Sequence, residues 1–162
     1  MINTFTYDTD YGKITISEEN NFIIEMTLGD SALKDSDLNT NESLIIKKAY
    51  KQLIEYFNGQ RTYFNLPLNP KGTEFQKKVW NALLKIPYGS TCSYKDIAVM
   101  IGNEKASRAV GGANNKNPIF IVIPCHRVIG ANGDLVGYGS GLDLKRKLLD
   151  LEKITKQKKH NE

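Results

Sequence analysis

Ile119-Phe120-Ile121-Val122-Ile123-Pro124-Cys125-His126-Arg127-Val128 runs apolar up to a proline and then delivers a cysteine, a histidine and an arginine in consecutive positions. A continuous run of large, partly β-branched residues reads as a strand buried on both faces. Pro124 has no N–H for the next ladder bond, so it ends that strand. Cys125 then stands at the mouth of a core strand with two nitrogen-rich side chains beside it. A thiol attacks only as thiolate, and a neighbouring imidazole or guanidinium favours that form. Cysteine is also among the most buried residue types, so the position taken alone admits a small apolar core residue as well.

Upstream, Asn114-Asn115-Lys116-Asn117-Pro118 turns the chain into this run from a helical segment, Lys105-Ala106-Ser107-Arg108-Ala109-Val110, that continues into Gly111-Gly112-Ala113. Before it, Ser93-Tyr94-Lys95-Asp96 has capping-box spacing for a short helix through Ile101, with a turn at Gly102-Asn103-Glu104. Helix, glycine-containing turn and a second helix with exposed Lys105 and Arg108 make the layout of a helix-turn-helix, although many helical hairpins share it. Two adjacent glycines cost a helix about 1 kcal/mol each relative to alanine, and they let another backbone approach closely. Further upstream, Thr73-Glu74-Phe75-Gln76 is a second capping box, with Phe75, Val79, Trp80, Leu83 and Ile86 at helical spacing behind it.

The first part of the chain reads differently. Thr4–Tyr7, Lys13–Ile16 and Phe22–Met26 are β-rich runs separated by turn residues, an antiparallel meander. Residues 29–42 read as a loop. Leu44 to Asn58 places Ile46, Ala49, Tyr50, Leu53, Ile54 and Phe57 on one helical face, stopped at Asn58-Gly59. Arg61 to Gly72, with Pro67 and Pro70, reads as an extended connection between two halves.

With 162 residues, 40% hydrophobic and 25% charged, the chain has material for a packed core in one domain or two small ones. No stretch approaches the roughly 20 apolar residues that span a bilayer, and Met1-Ile2-Asn3-Thr4-Phe5 does not begin a signal peptide. The expectation is a cytoplasmic protein without membrane association. Cys92, Cys125, His126 and His160 lack the paired spacing of a structural zinc site, so neither disulfide nor metal is expected. Residues 1–71 hold 7 Lys/Arg against 10 Asp/Glu, whereas residues 72–162 hold 15 against 8. A polyanion-binding surface therefore belongs to the second half, although Lys153, Lys156, Lys158 and Lys159 read as a solvated tail.

Ser93-Tyr94, Arg108-Ala109-Val110-Gly111-Gly112-Ala113, Asn117-Pro118, Ile123-Pro124-Cys125-His126-Arg127-Val128 and Gly137-Tyr138-Gly139-Ser140-Gly141-Leu142, followed by Leu148-Leu149 and Glu152, resemble in order and spacing the O6-alkylguanine-DNA alkyltransferases, or methylated-DNA–protein-cysteine methyltransferases. The resemblance runs from about Gly72 to Glu152, and Pro-Cys-His-Arg in that setting is highly specific. It implies an α+β protein. Residues 1–71 would form an RNase H-like scaffold of a small antiparallel sheet with a helix. Residues 72–162 would form a mainly helical, winged helix-turn-helix-like domain that binds DNA and accepts the alkyl group.

The resemblance further implies irreversible, stoichiometric repair of double-stranded DNA, moving the alkyl group of O6-alkylguanine or O4-alkylthymine to the protein's own cysteine. It implies a monomer and no cofactor. By position, Cys125 is the acceptor, His126 takes its proton through a water, Glu152 orients the histidine and Asn117 is a hinge. Tyr94 helps to rotate the nucleotide and donates to the base, and Arg108 fills the gap in the stack. Carbonyls of Cys125 and Val128 receive the guanine amino group, and the Gly139 amide donates to O6. The DNA- and substrate-facing set is then Tyr94, Lys105, Arg108, Arg127, Val128, Gly139 and Ser140, with small residues at the last two implying a roomy pocket. Cys92, near a helix N-terminus but without an imidazole, reads as structural. Two rivals use the same residues: a Cys/His hydrolase, and a winged-helix DNA-binding protein without chemistry.

Overall fold

A computed structural model describes residues 1–34, 38–133 and 141–160 of the chain. It divides into two compact units, Met1–Lys71 and Gly72–Glu162.

The first unit is a four-stranded sheet with one helix. Strands β1 (Ile2–Thr9), β2 (Gly12–Glu19) and β3 (Phe22–Leu28) form the expected meander, and α1 (Leu44–Phe57) packs against β2 and β3. The stripe of α1 that turns inward is Ile46, Ala49, Leu53 and Tyr56, which meets Ile14, Ile16, Ile23 and Met26 in a core closed to solvent. One strand was hidden in the expected loop: β4 (Leu38–Thr40) pairs parallel to β1, giving the order β3-β2-β1-β4. Three residues, Leu-Asn-Thr, carry too little alternation to announce a strand. The proline-containing connection also proves to be part of this unit. Ile23 N donates to the Pro67 carbonyl at 2.8 Å and Asn69 N to the Ile23 carbonyl at 2.9 Å, so the segment lies along β3. The Gln52 side chain clips it from below, donating to the Asn65 carbonyl at 3.1 Å and accepting from Asn65 N at 2.9 Å.

The second unit is helical: α2 (Glu74–Leu83), α3 (Tyr94–Met100), α4 (Ser107–Asn115) and α5 (Leu142–His160), with the two-residue strands β5 (Cys92–Ser93) and β6 (Val128–Ile129) paired in parallel. Both expected capping boxes form, at Thr73 with Gln76 and at Ser93 with Asp96. Helices α2, α3 and α4 pack on one another, and the buried Trp80 donates its indole N–H to the Ala113 carbonyl of α4 at 2.9 Å. The second helix of the hairpin starts at Ser107, so Lys105 lies in the turn before it and not on the helix. Lys153, Lys156, Lys158 and Lys159 are exposed on α5, not in a tail beyond it.

The largest departure is at the cysteine run. Residues 119–123 form no strand; the chain coils there through tight turns, with Val122 N on the Phe120 carbonyl at 2.8 Å and Ile123 N on the Ile119 carbonyl at 3.0 Å. Ile121 has φ of 70°, a region that β-branched residues rarely enter. Its side chain, like those of Ile119 and Ile123, is buried, so burial of a coiled apolar run holds a backbone that local preference opposes.

Candidate active site

Three elements converge on Cys125. The first is the coiled turn, which Asn117 clips at both ends: its side-chain amide donates to the Ile123 carbonyl at 2.7 Å and its oxygen accepts from Ile119 N at 3.0 Å. Asn114, one turn back on α4 and 1% exposed, adds a bond from its amide to the Cys125 carbonyl at 3.3 Å. The turn that presents the cysteine is thus tied to α4. Cys125, His126 and Arg127 then form one turn of 3-10 helix, closed by the N–H of Val128 reaching back to the Cys125 carbonyl.

The second element is α5. Its inward stripe, Leu144, Lys145, Leu148, Glu152 and Thr155, places two ionisable side chains among apolar ones. Glu152 is fully buried and accepts hydrogen bonds at both oxygens. Its Oε1 takes Arg127 Nε at 2.8 Å and Gly89 N at 3.0 Å; its Oε2 takes His126 Nε2 at 2.6 Å and Arg127 Nη2 at 3.1 Å. Burial alone would raise this carboxyl, but the bonds and charges of His126 and Arg127 outweigh it and hold Glu152 down at about 2. It is an anion throughout the physiological range.

That anion fixes the histidine. Nε2 faces a carboxylate and must carry a proton, so in the neutral ring Nδ1 is the basic nitrogen. His126 is closed to solvent; burial pushes its pKa below the usual value, and the Glu152 hydrogen bond only partly offsets this. The ring is a neutral base at pH 7, held in one tautomer and one orientation.

The third element is α3, which supplies Tyr94 at its first residue. A Cβ on Gly111 would stand 3.8 Å from the Tyr94 ring, so the ring lies against α4. Burial first, and then the charge of Cys125, raises the Tyr94 hydroxyl above its ordinary pKa; it is a donor at neutral pH. Arg108 is exposed near the start of α4, and Gly112, one turn later, is exposed with open space where a side chain would be.

All of the expected site residues except Arg127 and Val128 fall into three groups. Cys125, His126, Glu152, Asn117 and Tyr94 are brought together. Arg108 and Lys105 are exposed on α4 and in the turn that precedes it. Gly139 and Ser140 lie outside the described residues. Arg127 needs a correction: expected to face DNA, it is 8% exposed and spends its guanidinium on Glu152 and, at 2.8 Å, on the Ile86 carbonyl. The guanidinium is turned into the core, where it lies 5.5 Å from the centre of the Tyr88 ring. Val128 is also engaged, its carbonyl accepting from Lys145 Nζ. Cys92 is half-buried in β5, and burial with the nearby Asp96 raises its thiol. Among the described residues no cluster of His, Cys, Asp or Glu suits a metal ion, and no helix is long and apolar enough to cross a membrane.

Comparison with known proteins gives this arrangement a family. Residues 74–154 match the model of the 6-O-methylguanine DNA methyltransferase DNA binding domain, and residues 3–70 match that of the ribonuclease-like domain of the same proteins. The chain belongs to the 6-O-methylguanine DNA methyltransferase family. It is 49% identical over 148 residues to a methylated-DNA–protein-cysteine methyltransferase of Methanosarcina acetivorans, covering 90% of this chain and 95% of that one. It is 46% identical over 160 residues to the constitutive enzyme of Bacillus subtilis, covering 95% and 97%. The crystal structure of Mycobacterium tuberculosis OGT in complex with DNA superposes with a TM-score of 0.88 at 42% identity, covering 94% of each chain.

Within this family member, Lys145 and Asn114 are the residues that sequence reasoning passed over. Lys145 sits in Leu144-Lys145-Arg146-Lys147, which looks like a solvated face. The available signal was its spacing, three residues before Leu148 and seven before Glu152, which sets it on the buried stripe.

Proposed function

We propose that the protein repairs DNA by direct reversal, transferring the alkyl group of O6-alkylguanine, or O4-alkylthymine, in double-stranded DNA irreversibly to Cys125. The observation that carries this reading is the buried relay from Glu152 to His126, 2.6 Å long, ending beside a cysteine whose turn is tied to α4.

The reacting carbon lies inside the duplex, so the nucleotide must leave the stack, at a cost of a few kcal/mol. Arg108 is planar, cationic and exposed on α4, suited to stand where the base stood and to offset phosphate charge. Gly112 supports the same face. An exposed helical glycine at which an added Cβ would meet nothing within 4 Å has no reason inside the protein, and a closely docked duplex supplies one.

Transfer is a displacement at carbon. The Cys125 proton passes to His126 Nδ1 through a water, the sulfur–carbon bond forms, and the carbon–O6 bond breaks with its electron pair going to the purine. Tyr94, a protonated donor, stabilises or protonates the leaving base and regains its proton through solvent. The thioether has no route back, so each molecule acts once. No cofactor enters the balance. The protein works as a monomer on DNA in the cytoplasm, with residues 1–71 as scaffold and 72–162 as the DNA-binding, alkyl-accepting domain.

The test is a titration against duplex containing O6-methylguanine. Repair stops at about one equivalent and Cys125 gains one methyl group, read by peptide mass. Product that continues past one equivalent rejects the single-use mechanism; continued turnover of esters or amides points to a hydrolase. Binding without any transfer leaves a DNA-binding protein. Cys125→Ala abolishes transfer and retains duplex affinity.

A further inference from the structure

Four lysines follow Glu152 on α5, and they divide by position. Lys158 and Lys159 lie in the last turn, where positive charge offsets the helix dipole. Lys153 and Lys156 come before that turn. With Gln157 and His160 they stand at i, i+3, i+4 and i+7, the spacing of a helix face that usually packs on a core. Here that face lines a cleft of about 410 Å³, which Gly89 lines as well.

The Gly89 wall is fixed. Ser90 N closes its turn on the Pro87 carbonyl at 3.0 Å, and Gly89 N donates to the buried Glu152 at 3.0 Å. With φ of 76° and an added Cβ only 2.6 Å from Lys156 Cδ, the position has room for glycine alone. The Lys156 stem therefore lies against the turn, part of its rotamer freedom lost before any ligand arrives. Like charges on neighbouring positions of one helix face repel. Among the described residues neither Lys153, Lys156 nor His160 has an ion-pair partner, and no carboxylate lines the cleft. An anion seated there relieves that repulsion, and two ammonium groups beside an amide donor suit phosphate oxygens.

We propose that the cleft between the Gly89 turn and α5 is an anion site, separate from the alkyl-transfer site, that takes a phosphate group through Lys153 and Lys156. Phosphate is the chemistry shared by the DNA backbone and by free phosphate compounds. The excess of 15 Lys/Arg over 8 Asp/Glu in residues 72–162 favours the backbone.

Two probes test this on the full-length protein, comparing two charge-matched variants. Lys153→Gln/Lys156→Gln removes two charges from the cleft; Lys158→Gln/Lys159→Gln removes two from the same helix outside it. The first probe is inorganic phosphate, titrated at fixed pH and constant ionic strength against chloride. It moves the ring-proton resonances of His160 saturably, and the cleft pair weakens that binding about tenfold or more while the control pair changes it less than about twofold. The second is undamaged duplex, with affinity measured as a function of salt. Its logarithmic slope falls by about 0.9 for each phosphate contact that the cleft pair loses, and less in the control pair. A difference in slope assigns the phosphate to DNA; equal slopes with the phosphate pattern intact assign it to a free compound. The two pairs behaving alike toward both probes overturns the proposal. Neither probe carries a lesion, so the result is independent of whether Cys125 accepts an alkyl group.

Discussion

The most deeply buried glutamates of the two units, Glu25 in the first and Glu152 in the second, are satisfied in opposite ways. Glu25, on β3, is 2% exposed and is held by neutral donors: Ser17 Oγ at 2.8 Å, Ser31 Oγ at 2.7 Å and Ala32 N at 2.8 Å. Glu152 is held by a guanidinium, an imidazole and a backbone amide. Neutral donors fix a carboxylate and end there. A titratable partner passes its influence on, and His126 carries it to the residue beside it. Burial of an acid therefore marks a structural pin in the first unit and a chemical relay in the second; the identity of the donors makes the difference.

Replacing each acid by its amide breaks the comparison most sharply. Glu152→Gln leaves Arg127 buried without a counter-charge, a loss of about 3–5 kcal/mol in stability. It also slows methyl transfer by about a hundredfold or more, read in single-turnover assays, because the histidine loses its tautomer control. Glu25→Gln costs about 1–3 kcal/mol and leaves transfer from lesion duplex at one equivalent per folded molecule.

Acid separates the units next. His126 is held neutral in the fold, so its contribution to stability is complete above the unfolded pKa of about 6.5 and is lost as pH falls below it. Glu152 has its folded pKa near 2, so its contribution persists above about 4.5 and is lost between there and 2. Calorimetry from pH 7 to 5 should show the transition of the second unit falling first, and His126→Gln should flatten that dependence.

Two carboxamides offer a finer version of the contrast. Gln52 clips Asn65 in the first unit as Asn117 clips the turn of residues 119–123 in the second. Alanine at either position costs about 1–3 kcal/mol. Only Asn117→Ala slows transfer, because only that turn carries the cysteine. Smallest is Gly112→Ala, which stabilises the free protein by about 0.5–1 kcal/mol and weakens duplex binding, measured by anisotropy.

What was legible in the sequence was whatever local chemistry decides. Thr73 and Ser93 cap their helices through residues three positions on, and α1 shows its stripe within 14 residues. The meander announces itself by alternation, and the reactive trio by adjacency and family resemblance. What was not legible depends on distant partners. Ile119–Ile123 has the composition of a strand, and only Asn117 and the surrounding core make it a coil. Arg127 and Lys145 look like surface cations until Glu152 and Val128 are brought to them.

One indole adds a practical property. Trp80 is the chain's single tryptophan, 2% exposed, and its N–H rests on the Ala113 carbonyl of α4. Emission excited at the long-wavelength edge, where the eight tyrosines do not absorb, therefore originates at one spot beneath the helix that carries Arg108. A shift of that helix on a duplex changes the polarity felt by the fluorophore, so docking can be timed in a stopped-flow instrument with no label attached.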